Sequence, residues 1–181
     1  VVRDQLERVG KFVEPPVRAV LPGPDQWGYR ISATFYPTGD GRLGYWSQLE
    51  QQVIPIDECH IIRPRLWQLF EDLELDLTGV LNLTLRVGAD DDLLIALDVE
   101  DVEPPELEVD FPVSVAMVLP TGEAANLVGD NYLVQRCAGR EWRVSAGGFF
   151  QVTPGAAEHL VRLVGEMAAP TGDETVLELY C

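Results

Sequence analysis

Two adjacent residues, Cys59 and His60 in the stretch DECHI, are the sequence's most suggestive pair for metal or thiol chemistry. The other thiols, Cys137 and Cys181, and the second imidazole, His159, lie far away in sequence. No Cys-x-x-Cys spacing occurs, so the chain cannot by itself build a zinc or iron–sulfur site; Cys59 supplies at most part of one. A cysteine is also a small apolar side chain, and Cys59 fits a core position on that ground. Cys137, inside a strand-like run, reads as core.

A second stretch, GGFFQVTPG over residues 147–155, places two aromatics and a glutamine directly before a helix start. Neighbouring side chains on extended backbone point to opposite faces, so Phe149 and Phe150 divide between a core and a cleft. The amide of Gln151 both donates and accepts, which is what reading a base edge or a cofactor requires. A core aromatic pair beside a surface glutamine is the competing reading. A third stretch, DETVLELYC over 173–181, has the short apolar run of a strand buried in a parallel sheet. Glu178 near its end is the kind of acidic residue that precedes a glycine-rich nucleotide-binding turn.

The elements that must hold these residues are mostly strands. Ile31, Ala33 and Phe35 alternate with Ser32, Thr34 and Tyr36, and TGDGR turns the chain back into LGYW, predicting a β-hairpin. QQVIPIDECHII continues extended, broken by Pro55. Pro64 opens an amphipathic helix carrying Leu66, Leu69, Phe70 and Leu73. VLNLTLRVG, DLLIALDVE, PVSVAMVLP, NYLVQRCAG and EWRVSAGG predict five more strands. Between them DVEPPELEVD, with five carboxylates and two prolines, reads as a solvated loop. Near the start, Val2, Leu6 and Val9 share one face of a short helix stopped at Gly10, followed by a proline-rich connector. After Gly148 the pattern changes to helix then strand: Thr153 can cap a helix, Pro154 sits at its first position, and Leu160, Leu163, Val164 and Met167 form a stripe expected to be buried. The fold class is α+β, with a central, mainly antiparallel sheet and helices.

The chain has 181 residues and a formal charge of −17, with arginine supplying all but one of its 13 basic residues. Such a balance repels nucleic acid as a whole, so an RNA role needs a local patch or basic surface elsewhere. No apolar run reaches the length of a membrane span. Three scattered cysteines argue against a secreted disulfide framework and for a reducing, cytoplasmic location.

Three segments in order resemble the RNA uracil-5-methyltransferases, the S-adenosylmethionine-dependent enzymes that make 5-methyluridine in 23S rRNA and tRNA. They are WGYRISATFYPTGDGRLGYW with VIPIDECHII, then SAGGFFQVTPGAAEHLVRLV, then DETVLELYC. The resemblance covers most of the chain and is strongest at FFQV and LELYC, where the family continues as Cys-Gly-x-Gly. It implies that residues 28–148 form a central α+β domain. Residues 149–181 would open a Rossmann-like class I methyltransferase domain, and 1–27 would be a helix and connector packing on it. It implies that Gln151 lies at the cofactor and target uracil, that Tyr180 contacts S-adenosylmethionine, and that Cys59 is one ligand of a [4Fe-4S] cluster whose other three cysteines precede Val1. Thr153 stands where the family has asparagine.

The chemistry sets a further expectation. Uracil C5 is a poor nucleophile until a thiolate adds at C6; C5 then attacks the sulfonium methyl, and a base removes the C5 proton as the thiol leaves. The resemblance puts that cysteine and base beyond Cys181, so the chain alone is expected to be inactive and no residue here is assigned as catalytic. Its expected partner is rRNA or tRNA, with no membrane and no DNA. Phe149, Phe150 and Tyr45 are candidate surfaces for an unstacked base. The alternative is a module without chemistry that binds RNA or, given the charge, protein.

Overall fold

A computed structural model describes residues 1–100 and 111–179. The acidic stretch expected to form a solvated loop lies outside the described residues, as do Tyr180 and Cys181. The elements are α1 (Val2–Arg8), β1 (Ser32–Pro37), β2 (Leu43–Ser47), β3 (Gln52–Pro55), α2 (Pro64–Glu71), β4 (Val80–Val87), β5 (Leu93–Val99), β6 (Ser114–Val118), β7 (Ala124–Val128), β8 (Tyr132–Cys137), β9 (Arg140–Ser145) and α3 (Pro154–Ala168).

Seven strands form one sheet in the order β3-β2-β1-β4-β5-β6-β7, and β8-β9 form a separate hairpin. Every neighbouring pair is antiparallel except β5 and β6, which run parallel. The fold is therefore the expected α+β arrangement. The alternation in β1 sets its register: Ala33 faces Leu85 and Phe35 faces Leu83 across the β1–β4 ladder, which puts the apolar members of both strands on one side. That side is the main core. Phe35, Leu66, Leu83, Leu85, Val87 and Leu97 have no exposed surface, and α2 closes over them with Leu66 and Leu69. Phe35 stacks on Tyr45 at 5.3 Å and meets Phe70 at 4.6 Å between ring centres.

The opposite face is covered only in part. Leu133 and Ala146, from and just after the β8–β9 hairpin, pack on Leu94, Ala96 and Ala116 in a smaller second core. Gln135, the one buried polar residue of the described set, secures the hairpin: its Nε2 donates to the Val87 carbonyl at 2.8 Å. Strand β7 has no counterpart in the sequence reading, because AANLV holds a single β-branched residue, Val128, and no aromatic; it forms by pairing with β6.

The expected turn between β1 and β2 is present. Thr38 N–H donates to the Arg42 carbonyl at 2.7 Å, and Gly41 N–H donates to the Thr38 carbonyl at 3.0 Å. Gly44 packs so closely on β3 that a side chain would collide with the Ile54 carbonyl.

Three expectations are corrected. First, most of the stripe on α3 is exposed: Leu160, Val164 and Met167 stand 52%, 65% and 78% open, Leu163 is half-buried, and Ala157 is the helix's buried residue. Only the first turns meet another element, through the Glu158 carboxylate accepting from Ala138 N–H at 2.8 Å; beyond them no described residue offers a surface. Second, 173–179 carry no strand. A strand of the parallel type is held by pairs on both sides, and no described strand lies beside this one; Val176, Leu177 and Leu179 are exposed. Third, Thr153 occupies the N-cap position of α3 with Pro154 after it, but its hydroxyl makes no capping bond; its carbonyl accepts from Ala156 and Ala157 N–H at 3.0 Å.

Candidate functional site

Residues 28–31 form a short extended seam that ties the two suggestive stretches together. At one end Gly28 N–H donates to the His60 carbonyl and Arg30 N–H to the Ile61 carbonyl, both at 2.9 Å, with Arg30 and Ile62 bridged in parallel. At the other end Ile31 N–H donates to the Val152 carbonyl at 2.9 Å. The DECHI segment and the FFQV segment are thus anchored on consecutive residues of one seam.

At the first end Cys59 is half-buried, and its Sγ lies 3.6 Å from Tyr45 Oη. Burial, and then the hydrogen bond with Cys59, hold the Tyr45 phenol well above its ordinary pKa, so it keeps its proton and can donate to sulfur. His60 is exposed and meets Trp27 edge-on at 5.8 Å. Cys59, His60, Trp27 and Trp67 line an open groove of about 830 Å³, with Asp25 at its rim.

At the second end Phe150 turns inward and packs against the main core, while Phe149 is 82% exposed. This is the division between faces expected of adjacent aromatics. Gln151 follows, exposed, with its backbone held between Phe150 and the Val152–Ile31 bond. Of the three candidate base-stacking aromatics, Phe149 is open, whereas Phe150 and Tyr45 are committed to packing. Glu178 is exposed, and Tyr180 lies outside the described residues.

The fit to the implied groups follows from this inventory. A [4Fe-4S] cluster takes four thiolates. Among the described residues no three His, Cys, Asp or Glu side chains converge. Cys137 is buried in β8, with its pKa raised by burial and then by Glu158. The described residues therefore do not make a cluster site. Anaerobic reconstitution of this chain with iron and sulfide is expected to give no cluster absorbance. A stoichiometric cluster abolished by Cys59→Ser would show that the chain holds one unaided. S-adenosylmethionine is likewise not enclosed by described residues: Gln151 offers one amide, and residues 173–179 make no strand.

Comparison with known proteins gives the fold first. The solved structure of the Pyrococcus abyssi tRNA (uracil-54, C5)-methyltransferase in complex with S-adenosyl-L-homocysteine superposes with a TM-score of 0.64. It covers 91% of this chain and 46% of that one at 19% identity, a likeness of fold. Sequence relatives share one name. A protein named uncharacterized RNA methyltransferase from Nostoc sp. is 28% identical, over 97% of this chain and 46% of the relative. One of the same name from Streptomyces avermitilis is 29% identical, over 100% of this chain and 45% of the relative. The chain spans slightly less than half the length of these relatives. No family model matches. No described helix is long and apolar enough to cross a membrane.

Proposed function

We propose that this chain is part of an S-adenosylmethionine-dependent RNA methyltransferase that forms 5-methyluridine in rRNA or tRNA in the cytoplasm. What carries the reading is similarity along essentially the whole chain to proteins named RNA methyltransferases, in agreement with the three motifs and their order. The uracil C5 specificity is supported by the FFQV and LELYC motifs and by a fold like that of a tRNA uracil-C5 methyltransferase.

In this proposal Gln151 reads the target uracil or the cofactor: its amide is exposed next to an anchored Phe150, so it can be presented without loss of the core. Tyr180 contacts S-adenosylmethionine. Cys59 contributes one thiolate to a cluster completed by residues other than those described. On the same proposal residues 28–148 are the central domain, 149–181 the start of the S-adenosylmethionine-binding domain, and 1–27 a helix and connector packing on that part.

The test is nucleoside mass spectrometry of RNA incubated with the parent protein and methyl-labelled S-adenosylmethionine. Label in 5-methyluridine is expected, and Gln151→Ala should reduce it at least tenfold, since an amide lost from a base- or cofactor-reading site leaves buried polar groups unpaired. Label on another base or on ribose would overturn the uracil C5 assignment, and absence of label would overturn the methyltransferase reading.

A further inference from the structure

The sheet face opposite the main core is half bare. The β8–β9 hairpin covers the β5–β6 end. Over β2, β1 and β4 the side chains that alternate away from Phe35 and Leu85 are Tyr36, Trp46, Thr34, Thr84, Ser32 and Arg86; the hairpin and Phe150 close over Ser32 and Arg86, and the end with Tyr36, Trp46, Thr34 and Thr84 is partly open. Thr34 and Thr84 share a hydroxyl bond of 2.8 Å in the middle of the face. Tyr36 and Trp46 stand with ring centres 6.4 Å apart, and Trp46 is 45% exposed.

Arg86 sits where this face meets the hairpin, paired across the ladder with Ser32. Its guanidinium is half-buried and has no carboxylate partner among the described residues. Nη1 reaches the Ser145 carbonyl at 3.4 Å, and Nε, fully enclosed, has no acceptor at all. Desolvation lowers its pKa without making it neutral at ordinary pH. The enclosed Nε is out of reach of an outside ligand, but the Nη1 end lies at the surface with no carboxylate on it among the described residues. Among the described strand residues of this face the one carboxylate is Asp98, which sits in the row of Asn82 rather than that of Arg86. Strand spacing and rise put Trp46 roughly 12 Å from Arg86, the reach of about two nucleotides.

We propose that this open face binds single-stranded RNA, with bases stacked on Tyr36 and Trp46 and a backbone phosphate held by Arg86. The side chains match that ligand in kind: ring faces for bases of any sequence, hydroxyls for sugar or base edges, and one fork-shaped donor for a phosphate oxygen. Locally the surface is aromatic and carries one arginine against one carboxylate, Asp98, so binding to a chain of net charge −17 would rest on stacking with a single phosphate contact. The inference rests on the RNA reading of the proposed function and adds to it a surface whose Arg86 end lies beside Phe150, next to Gln151.

The test is fluorescence anisotropy of the full chain with a labelled single-stranded RNA of about ten nucleotides, titrated with salt. Trp46→Ala is expected to weaken binding about tenfold without changing the salt slope. Arg86→Gln should weaken it and lower the slope by about one, with Arg86→Lys keeping the slope. Trp46 is half exposed, so its truncation leaves the fold intact and decides the matter even if Arg86→Gln unfolds. Equal affinity for Trp46→Ala and the unaltered chain, or no RNA binding at low salt, overturns the surface. If the parent protein still methylates RNA in that case, the proposed function stands and only the surface falls.

Discussion

Replacing Phe35 with alanine is expected to destabilise the chain by roughly 3–5 kcal/mol, the range for deleting a buried phenyl group. Phe35 has no exposed surface, and it touches both the ring of Tyr45 and that of Phe70. Its loss removes contacts on two sides, from β2 and from α2, and neither element can close the gap without abandoning its own ladder or helix. The effect reaches the candidate site through Tyr45, whose hydroxyl faces Cys59. A urea titration followed by tryptophan fluorescence gives the answer as a shifted midpoint. A shift equivalent to less than about 1 kcal/mol would mean that the site collapses around the cavity, and that Phe35 is not the pivot between sheet, helix and Cys59.

The second large effect is a total one: this chain, mixed with RNA and labelled S-adenosylmethionine, is expected to transfer no methyl group. Activation of uracil C5 needs a thiolate that can reach C6. Of the two described cysteines, Cys137 is buried and held protonated by burial. Cys59 lies against Tyr45 in the groove by Trp27, on the seam's opposite end from Gln151. Neither thiol is placed beside the amide proposed to read the base. Label in RNA above the level of a heat-treated control would overturn this and would direct attention to Cys59 as a nucleophile.

How far the sequence alone carried differs from element to element, for physical reasons. The β1–β2 hairpin was legible because alternation and turn chemistry are local: Ile31, Ala33, Phe35 and the TGDGR loop determine faces and reversal without reference to the rest of the chain. Helix α2 was legible for the same reason. Strand β7 was not, since its residues become a strand only through β6. The α3 stripe shows the converse error. Period 3.6 establishes that a face is apolar, not that anything lies against it, and Leu160, Val164 and Met167 are open. The run at 173–179 has strand composition without a strand neighbour. For the site, residue chemistry singles out Cys59 and Gln151 and the resemblance to a family supplies their proposed roles, while their shared anchorage on residues 28–31 is a matter of tertiary pairing that no spacing reveals. The pairing of Tyr36 with Trp46 was half visible: alternation gives each a face, but only the register of β1 on β2 makes it the same face.

The placement of β1 has a consequence for how the chain acquires its structure. β1 lies between β2, its immediate successor, and β4, which is made only after the whole of α2. The hairpin can therefore appear early and Phe35 can meet Tyr45 and Phe70, yet the apolar side of β1 is closed over only when β4 brings Leu83 and Leu85 beside it. Closing that long loop must precede the reward of burying Phe35 and Leu83. Next comes a parallel partner, β6, which likewise cannot be reached by a tight turn from β5. Folding should accordingly be slow for a chain of this size, with β4 as the commitment step. During synthesis on the ribosome, β1–β3 and α2 would wait, exposed and in need of protection, until β4 clears the exit tunnel.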